Sequence, residues 1–260
     1  MIAWLESLPT LAAGFLIVGG FVLSTLVMGY LVAAYTSREI REEHNDRAGF
    51  ILAVIGVVYA VLLAFVAIGT WERFNLAEAR SYEEAQALAT VYRDAESFPH
   101  PEKLQAMLQA YVRSVIDVEW PRMRRGERAA AANELLEAAD RYVRHLPVTS
   151  AGAADVQAQM LAAMNTALGD RETRLTIDFI GINSIMWSVL AAGAYITVAF
   201  TYLFGFERRV MQQLMIGGLS LMIGLVLFLV VGLDYPFRGS IAVGPDAFRT
   251  LLEYWHVNPG

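Results

Sequence analysis

Apolar residues are gathered along this chain into four long, uninterrupted blocks, at about 11–35, 50–70, 179–204 and 214–233. At a rise of about 1.5 Å per residue, each block is long enough as a helix to cross a hydrocarbon layer roughly 30 Å thick. The stretch 72–177 has a different character. Its apolar residues recur every three or four positions among many charges, which predicts amphipathic helices and no strand. The pattern predicts an all-α membrane protein with four transmembrane helices in two pairs and a central, water-exposed helical insert. The division along the chain is a first hairpin at 1–71, the insert at 72–177, a second hairpin at 178–239 and an amphipathic tail at 240–260.

Within that frame the first block, from Leu11 to Thr36, carries no charge, and Trp4 and Tyr35 are placed for interfacial depth. It is read as a retained helix, because Met1–Pro9 has no Lys or Arg and contains Glu6, unlike the start of a signal peptide. The second block ends at Trp71. Gly49, Ala53, Gly56, Ala60, Ala64 and Ala67 recur along it at helical spacing, a stripe over which another helix can approach closely, or else ordinary lipid-facing surface. The insert reads as four helices at about 76–97, 102–120, 127–146 and from near Ser150. Their inward faces are Tyr82, Ala85, Leu88, Tyr92 and Ala95; then Leu104, Met107, Tyr111, Val115 and Val118; then Leu135, Ala138 and Tyr142; then Val156, Met160, Met164 and Leu168. Pro99, Pro121 and Pro147 stand as breakers. Nothing after Gly169 obliges a stop, so the fourth helix is expected to run directly into the third membrane segment. These faces are thin and rich in alanine, so docking on neighbouring subunits is expected in place of a large independent core. In the last membrane block Gly217, Ser220 and Gly224 form another small face. The tail helix offers Phe248, Leu251, Leu252 and Trp255 to the membrane interface, or caps a subunit.

Composition sharpens this picture. The chain is 56% hydrophobic and only 18% charged, against roughly a quarter charged in a typical soluble domain. It has no cysteine, so disulfides and thiolate metal sites are excluded. A net charge of −6 argues against nucleic acid, which requires a concentrated basic surface. The insert holds 13 Lys/Arg against 16 Asp/Glu. His44, His100, His145 and His256 are scattered and form no metal-binding spacing, no phosphate-binding glycine loop follows a strand, and no cofactor or enzymatic activity is expected.

Four groups of residues give the chain a family likeness. They are Glu84, Ala85, Leu88, Tyr92 and Arg93 within EEAQALATVYRDA; Tyr111 with Glu119-Trp120; Arg171-x-x-Arg174; and the exit Leu233-Asp234-x-Pro236-Phe237-x-Gly239. With these and its layout, the sequence resembles the bestrophin-like family of bacterial membrane proteins, a domain of unknown function over nearly the whole chain. The resemblance implies kinship with bestrophins, which are pentameric anion channels with four membrane helices per subunit and a cytosolic helical body.

Each candidate working residue carries two readings. Asp234 stands four residues before Arg238, with Pro236, Phe237 and Gly239 shaping a turn; acid and arginine either pair to pin the helix end or line a pore mouth. Arg171, Arg174 and Asp178 share one helix face, as membrane anchors or partners for Glu72 and Arg73, or as a charged vestibule around an oligomer axis. Asn183, Ser184 and Ser188 either bond between helices or line a channel. Val54, Val57, Val61 and Phe65 lie near one face, in contact with lipid or forming a hydrophobic constriction.

No Asp, Glu, Lys, Arg or His lies in the middle of a membrane block, which disfavours a proton-coupled transporter and is compatible with a channel. Two functional classes follow. One is an oligomeric ion channel, a homo-oligomer that the resemblance makes a pentamer and anion-selective, embedded in membrane lipid and passing inorganic ions. The other is a non-conducting scaffold or sensor whose insert binds a partner. Arg38, Arg41 and Arg47, with Arg208 and Arg209, favour cytoplasmic short connections, whereas the resemblance implies a cytoplasmic insert; the expectation adopted is the latter, in a bacterial inner membrane spanned by helices.

Overall fold

The structure is a computed structural model that describes residues 10–36, 45–127, 132–206, 208–239 and 241–257. The N-terminal residues Trp4 and Glu6, the connection bearing Arg38 and Arg41, and the side chain of Arg47 lie outside what it describes. Helix α1 runs Thr10–Gly14, passes through a π-helical turn at Phe15–Gly19 and continues Gly20–Tyr35. Helix α2 is Asn45–Asp94, followed by a 3-10 turn at Ala95–Ser97. Helix α3, Pro101–Ser114, leads through a π turn at Val115–Glu119 into α4, Trp120–Arg124. Then come α5 (Asn133–Arg144), α6 (Ala151–Ile177), α7 (Ser184–Thr201), α8 (Arg209–Asp234) and α9 (Asp246–Val257). No strand occurs among the described residues. Four helices are long and apolar enough to cross a membrane, over Ala12–Tyr35, within Ala48–Ser97, and over Ser184–Thr201 and Arg209–Asp234. The protein is thus an all-α membrane protein of the expected four spans.

The chain forms two compact units, one holding the membrane helices and the other the helical body, and α2 contributes to both. In the membrane unit Ser220 and Gly224 of the small face of α8 pack against α1, while Gly217 is less closely covered. A side chain at Gly224 would press on Val18 and Phe21 of α1, and Thr25 donates to Ser220 at 2.8 Å. Tyr202 of α7 donates to the Thr25 carbonyl at 3.0 Å. The closest approach involves α7: a Cβ on Gly193 would lie 2.5 Å from the Tyr59 ring, whose hydroxyl donates to the Leu190 carbonyl at 3.1 Å. The small stripe of α2 behaves differently, since Ala53, Ala60 and Ala64 are exposed.

In the helical unit several expectations are corrected. The second membrane segment and the first insert helix are one helix of 50 residues, because Glu72-Arg73-Phe74-Asn75 offers no breaker. Pro121 does not end a helix: the chain stays helical from α3 through the π turn at Val115–Glu119 into α4, whose second residue it is. The inward face of α5 is Leu136, Ala139 and Val143, one position on from that expected. Tyr82 is exposed, although Ala85, Leu88, Tyr92 and Ala95 beside it are buried. The unit has a substantial core of its own, with Leu88, Leu108, Val112, Met160, Met164 and Ala167 among its enclosed residues. The tail helix completes that core. Phe248 and Trp255 are buried, Trp255 stacks on Tyr92 at 4.3 Å between ring centres, and Phe248 packs on Trp120, so these residues are not free to enter a membrane interface.

Candidate functional site

Helix α6 starts on a sequence-encoded cap, Ser150 accepting from the Ala153 N–H at 3.1 Å. It then presents Arg171 and Arg174, one turn apart, to the interior of the helical unit. Arg174 is fully buried. Its Nε donates to Glu84 at 2.8 Å, its Nη2 to Glu84 and to Glu119 at 3.2 Å each, and its Nη1 to the Met123 Sδ at 3.3 Å. The guanidinium lies over Trp120 at 4.9 Å and over Phe248 at 5.5 Å. Arg171 donates to Glu119 and, at 3.0 Å, to Asn133; Tyr111 donates in a short hydrogen bond to Glu84 Oε1, the oxygen that Arg174 Nη2 also binds. The π turn at Val115–Glu119 delivers Glu119 to this point, while Glu84 comes from α2 and Tyr111 from α3.

The formal charges of this cluster cancel, two guanidiniums against two carboxylates. Burial by itself lowers the Arg174 pKa, but Glu84, Tyr111 and Glu119 outweigh it and hold the group above its ordinary value. Burial, followed by the charge of Glu84, holds the Tyr111 phenol well above the usual tyrosine range. The network is enclosed and formally neutral, and its guanidiniums and carboxylates bind one another, with the Arg171 Nε alone of these groups left without a hydrogen-bond partner. The expectation that Arg171 and Arg174 line a vestibule or pair with Glu72 is therefore corrected: their partners are Glu119 and Glu84, in the protein interior. Arg80, which binds Asp170 at 2.9 Å and Glu83 at 2.7 Å, adds a second link between α2 and α6.

The expected continuous passage from α6 into α7 is also corrected. The chain leaves helix after Ile177 and resumes at Ser184. Arg73 donates to the Ile180 carbonyl at 2.8 Å, Asp234 accepts the Ile182 N–H at 2.7 Å, and Asn183 caps α7 by accepting from the Ile185 N–H at 2.9 Å. Asp178 is fully buried, and Arg238 reaches it through its carboxylate at 3.3 Å and its carbonyl at 2.8 Å. A Cβ at Gly181 would meet the Tyr235 hydroxyl at 2.5 Å, so a larger residue there would have to displace the tyrosine ring. Asp234 and Arg238 of the exit motif each hold a part of this break. Pro236 accepts from the Val243 N–H at 2.8 Å, and Phe237 meets Trp120 edge-on at 5.5 Å.

The remaining pore candidates are solvent- or lipid-accessible in the single subunit. Asn183, Ser184 and Ser188 are exposed; Ser188 bonds back to the Ser184 carbonyl at 3.0 Å. On α2, Val57, Val61 and Phe65 are 64%, 50% and 72% exposed and follow one another at four-residue steps down one bare apolar face. Tyr92 is buried against Trp255, whereas Arg93 is exposed beside Asp94. Sequence reasoning missed Asn133, the Arg80–Asp170 pair, and Gly181 and Gly193. The glutamates were visible: an acid within the buried periodicity of Ala85, Leu88 and Tyr92 needs an enclosed partner. Among the described residues no group of three or more histidine and carboxylate side chains is placed to hold a metal.

The comparisons with known proteins agree with this architecture. A family model described as a Bestrophin-like domain matches residues 19–248. Two single-site threonine variants of a bacterial bestrophin homologue from Klebsiella pneumoniae are similar in structure. One has a TM-score of 0.70 at 13% identity over 93% of this chain and 99% of that one. The other has a TM-score of 0.67 at 14% identity over 91% and 98%. A crystal structure described as a membrane protein with a serine-to-alanine change gives a TM-score of 0.69 at 14% identity, over 94% and 98%. No curated protein matches the chain in sequence.

Proposed function

The chain belongs to the bestrophin-like family, and from that premise we propose that it is an oligomeric ion channel of the bacterial inner membrane, conducting anions. The observation that carries this reading is the bare face of α2. Val57, Val61 and Phe65 stand one above another with no covering element in the subunit, on a span that carries no charge from Ala48 to Trp71. Symmetry copies of such a face around an axis form a narrow apolar passage that gates by expelling water. Asn183, Ser184 and Ser188, exposed at the start of α7, supply neutral polar groups for an ion shedding part of its hydration. The helical body, 72–177, is assigned to the cytoplasmic side, and the assembly is a pentamer as in bestrophins. Arg171, Arg174 and Asp178 act in this reading as the struts of the body.

Ionic current from the purified protein in planar bilayers under asymmetric salt tests the reading. Discrete openings whose reversal potential moves toward the anion equilibrium potential are expected, and Val61→Ser or Phe65→Ala raises the open fraction by weakening the dewetted constriction. Silence from protein shown to be assembled, across voltage and pH, overturns it in favour of a non-conducting scaffold.

A further inference from the structure

A groove of about 680 Å³ runs between α1 and α8 in the membrane unit. Leu26 and Tyr30 of α1 and Leu214, Gly217, Gly218 and Leu221 of α8 form its walls; Arg209 and Gln213 stand at one end. We propose that this groove binds one anionic phospholipid, with the phosphate at Arg209 and an acyl chain laid along the two glycines.

Its size falls within the usual range for small-molecule sites. Its shape is more telling. From Arg209 to Leu221 the helix advances twelve residues, about 18 Å, close to the ~15 Å that one leaflet contributes to the hydrocarbon core. Polar groups occupy one end of that length and apolar ones the rest, which is the polarity of a lipid and not of a soluble metabolite. The groove exists because two side chains are missing from its floor. A Cβ at Gly218 would meet nothing within 4 Å, and one at Gly217 would make only ordinary contact with Leu26.

Charge selects the headgroup. Arg208 and Arg209 are exposed at the start of α8, where the unbonded N–H groups of a 26-residue helix add positive potential. A second copy of the chain is a poor occupant at that depth. The described spans Ala12–Tyr35, Ala48–Trp71, Ser184–Thr201 and Val210–Leu233 contain no Asp or Glu to meet the arginine. A phospholipid supplies an anion and an apolar chain together, where a membrane span of a second copy would supply only the apolar part.

The test uses the full-length protein, stripped of lipid in detergent and then offered phosphatidylglycerol and phosphatidylcholine of identical chains, with retained lipid per subunit read by native mass spectrometry. Preferential retention of phosphatidylglycerol is expected. Arg209→Gln should reduce that preference about fivefold, the effect of roughly one juxtamembrane cation. Gly218→Leu should lower retention of both lipids while leaving the unfolding midpoint in place. Equal retention of the two lipids, unaffected by Arg209→Gln, overturns the proposal. So does loss of the oligomer in Gly218→Leu with lipid retention intact, since the groove is then an interface between copies. Displacement of bound lipid by millimolar inorganic phosphate alone would also overturn it, by showing that the chain contributes nothing.

Discussion

Arg174 and Ser220 are both fully enclosed, yet one lies in a network of charges and the other shares a single hydrogen bond with Thr25. The contrast extends to their units. The helical body encloses Glu84, Glu119, Asp170, Arg171, Arg174 and Asp178, whereas along the membrane spans the buried polar residues are hydroxyls and one amide, with Asp234 only at the foot of α8. Surrounded by water, the body can enclose charges within its apolar core, and their pairing fixes which helix faces which. In hydrocarbon an unpaired charge is far too costly during insertion, so the spans rely on small residues and self-satisfied hydroxyls. Thr197 bonds to the Gly193 carbonyl and Thr201 to the Val198 carbonyl of their own helix. The two units also differ in what they leave bare. Only 11% of the most apolar window of α2 is buried within the subunit, so this unit is finished by lipid or by other copies, while the body is finished by its own tail.

The sharpest way to break this comparison is to remove one charge from the body. Arg174→Ala leaves Glu84 and Glu119 enclosed without their shared counter-charge, and is expected to cost about 3–5 kcal/mol of stability. Arg174→Lys retains the charge but not the two-pronged donation and should fall between the variant and the native protein. Thermal and denaturant midpoints of the detergent-solubilised protein measure both. A loss below ~1 kcal/mol would mean that water reaches the cluster and that the body is not the closed unit described.

Tyr111 gives the same network a pH signature. Its phenol is held well above the ordinary value by burial and then by Glu84, while in the unfolded chain it titrates near 10. Below that pH both states keep the proton and stability does not change on this account. Above it the unfolded state binds fewer protons than the folded one, so stability falls as pH rises, by up to about 1.4 kcal/mol per pH unit. Tyr111→Phe should flatten that part of the alkaline slope, read from unfolding midpoints between pH 9 and 11. An unchanged slope would place the phenol in contact with solvent.

The spans and the helical insert were legible because hydrophobic block length and helical periodicity are local properties of the sequence. The partners of Arg171 and Arg174 were not. A turn-spaced pair of arginines just before an apolar segment reads equally well as a surface feature, and only the meeting of α2, α3 and α6 reveals Glu84, Tyr111 and Glu119 around it. The break at 178–183 was missed for a related reason. No proline marks it, and its stability comes from Arg73, Asp234 and the fit of Gly181 against Tyr235, none of which is a neighbour in sequence. The bare face of α2 was visible as Val57, Val61 and Phe65, since an apolar stripe on an apolar helix needs no distant partner to be noticed.

The smallest effect is expected in the membrane unit. Thr25→Val removes the hydroxyl that donates to Ser220 at 2.8 Å and keeps the shape of the side chain. Ser220 can then turn to a carbonyl of its own helix, as Thr197 and Thr201 already do, so little is left unpaired. Interhelical hydrogen bonds of this kind contribute about 0.6 kcal/mol on average, several times less than the loss predicted for Arg174→Ala. A double cycle with Ser220→Ala, measured by the same unfolding midpoints, isolates the pair. A coupling as large as that of the arginine cluster would mean that α1 and α8 are held by polar specificity as the body is. A coupling near the small value leaves close packing, at Gly224 against Val18 and at Gly193 against Tyr59, as what holds the membrane helices together.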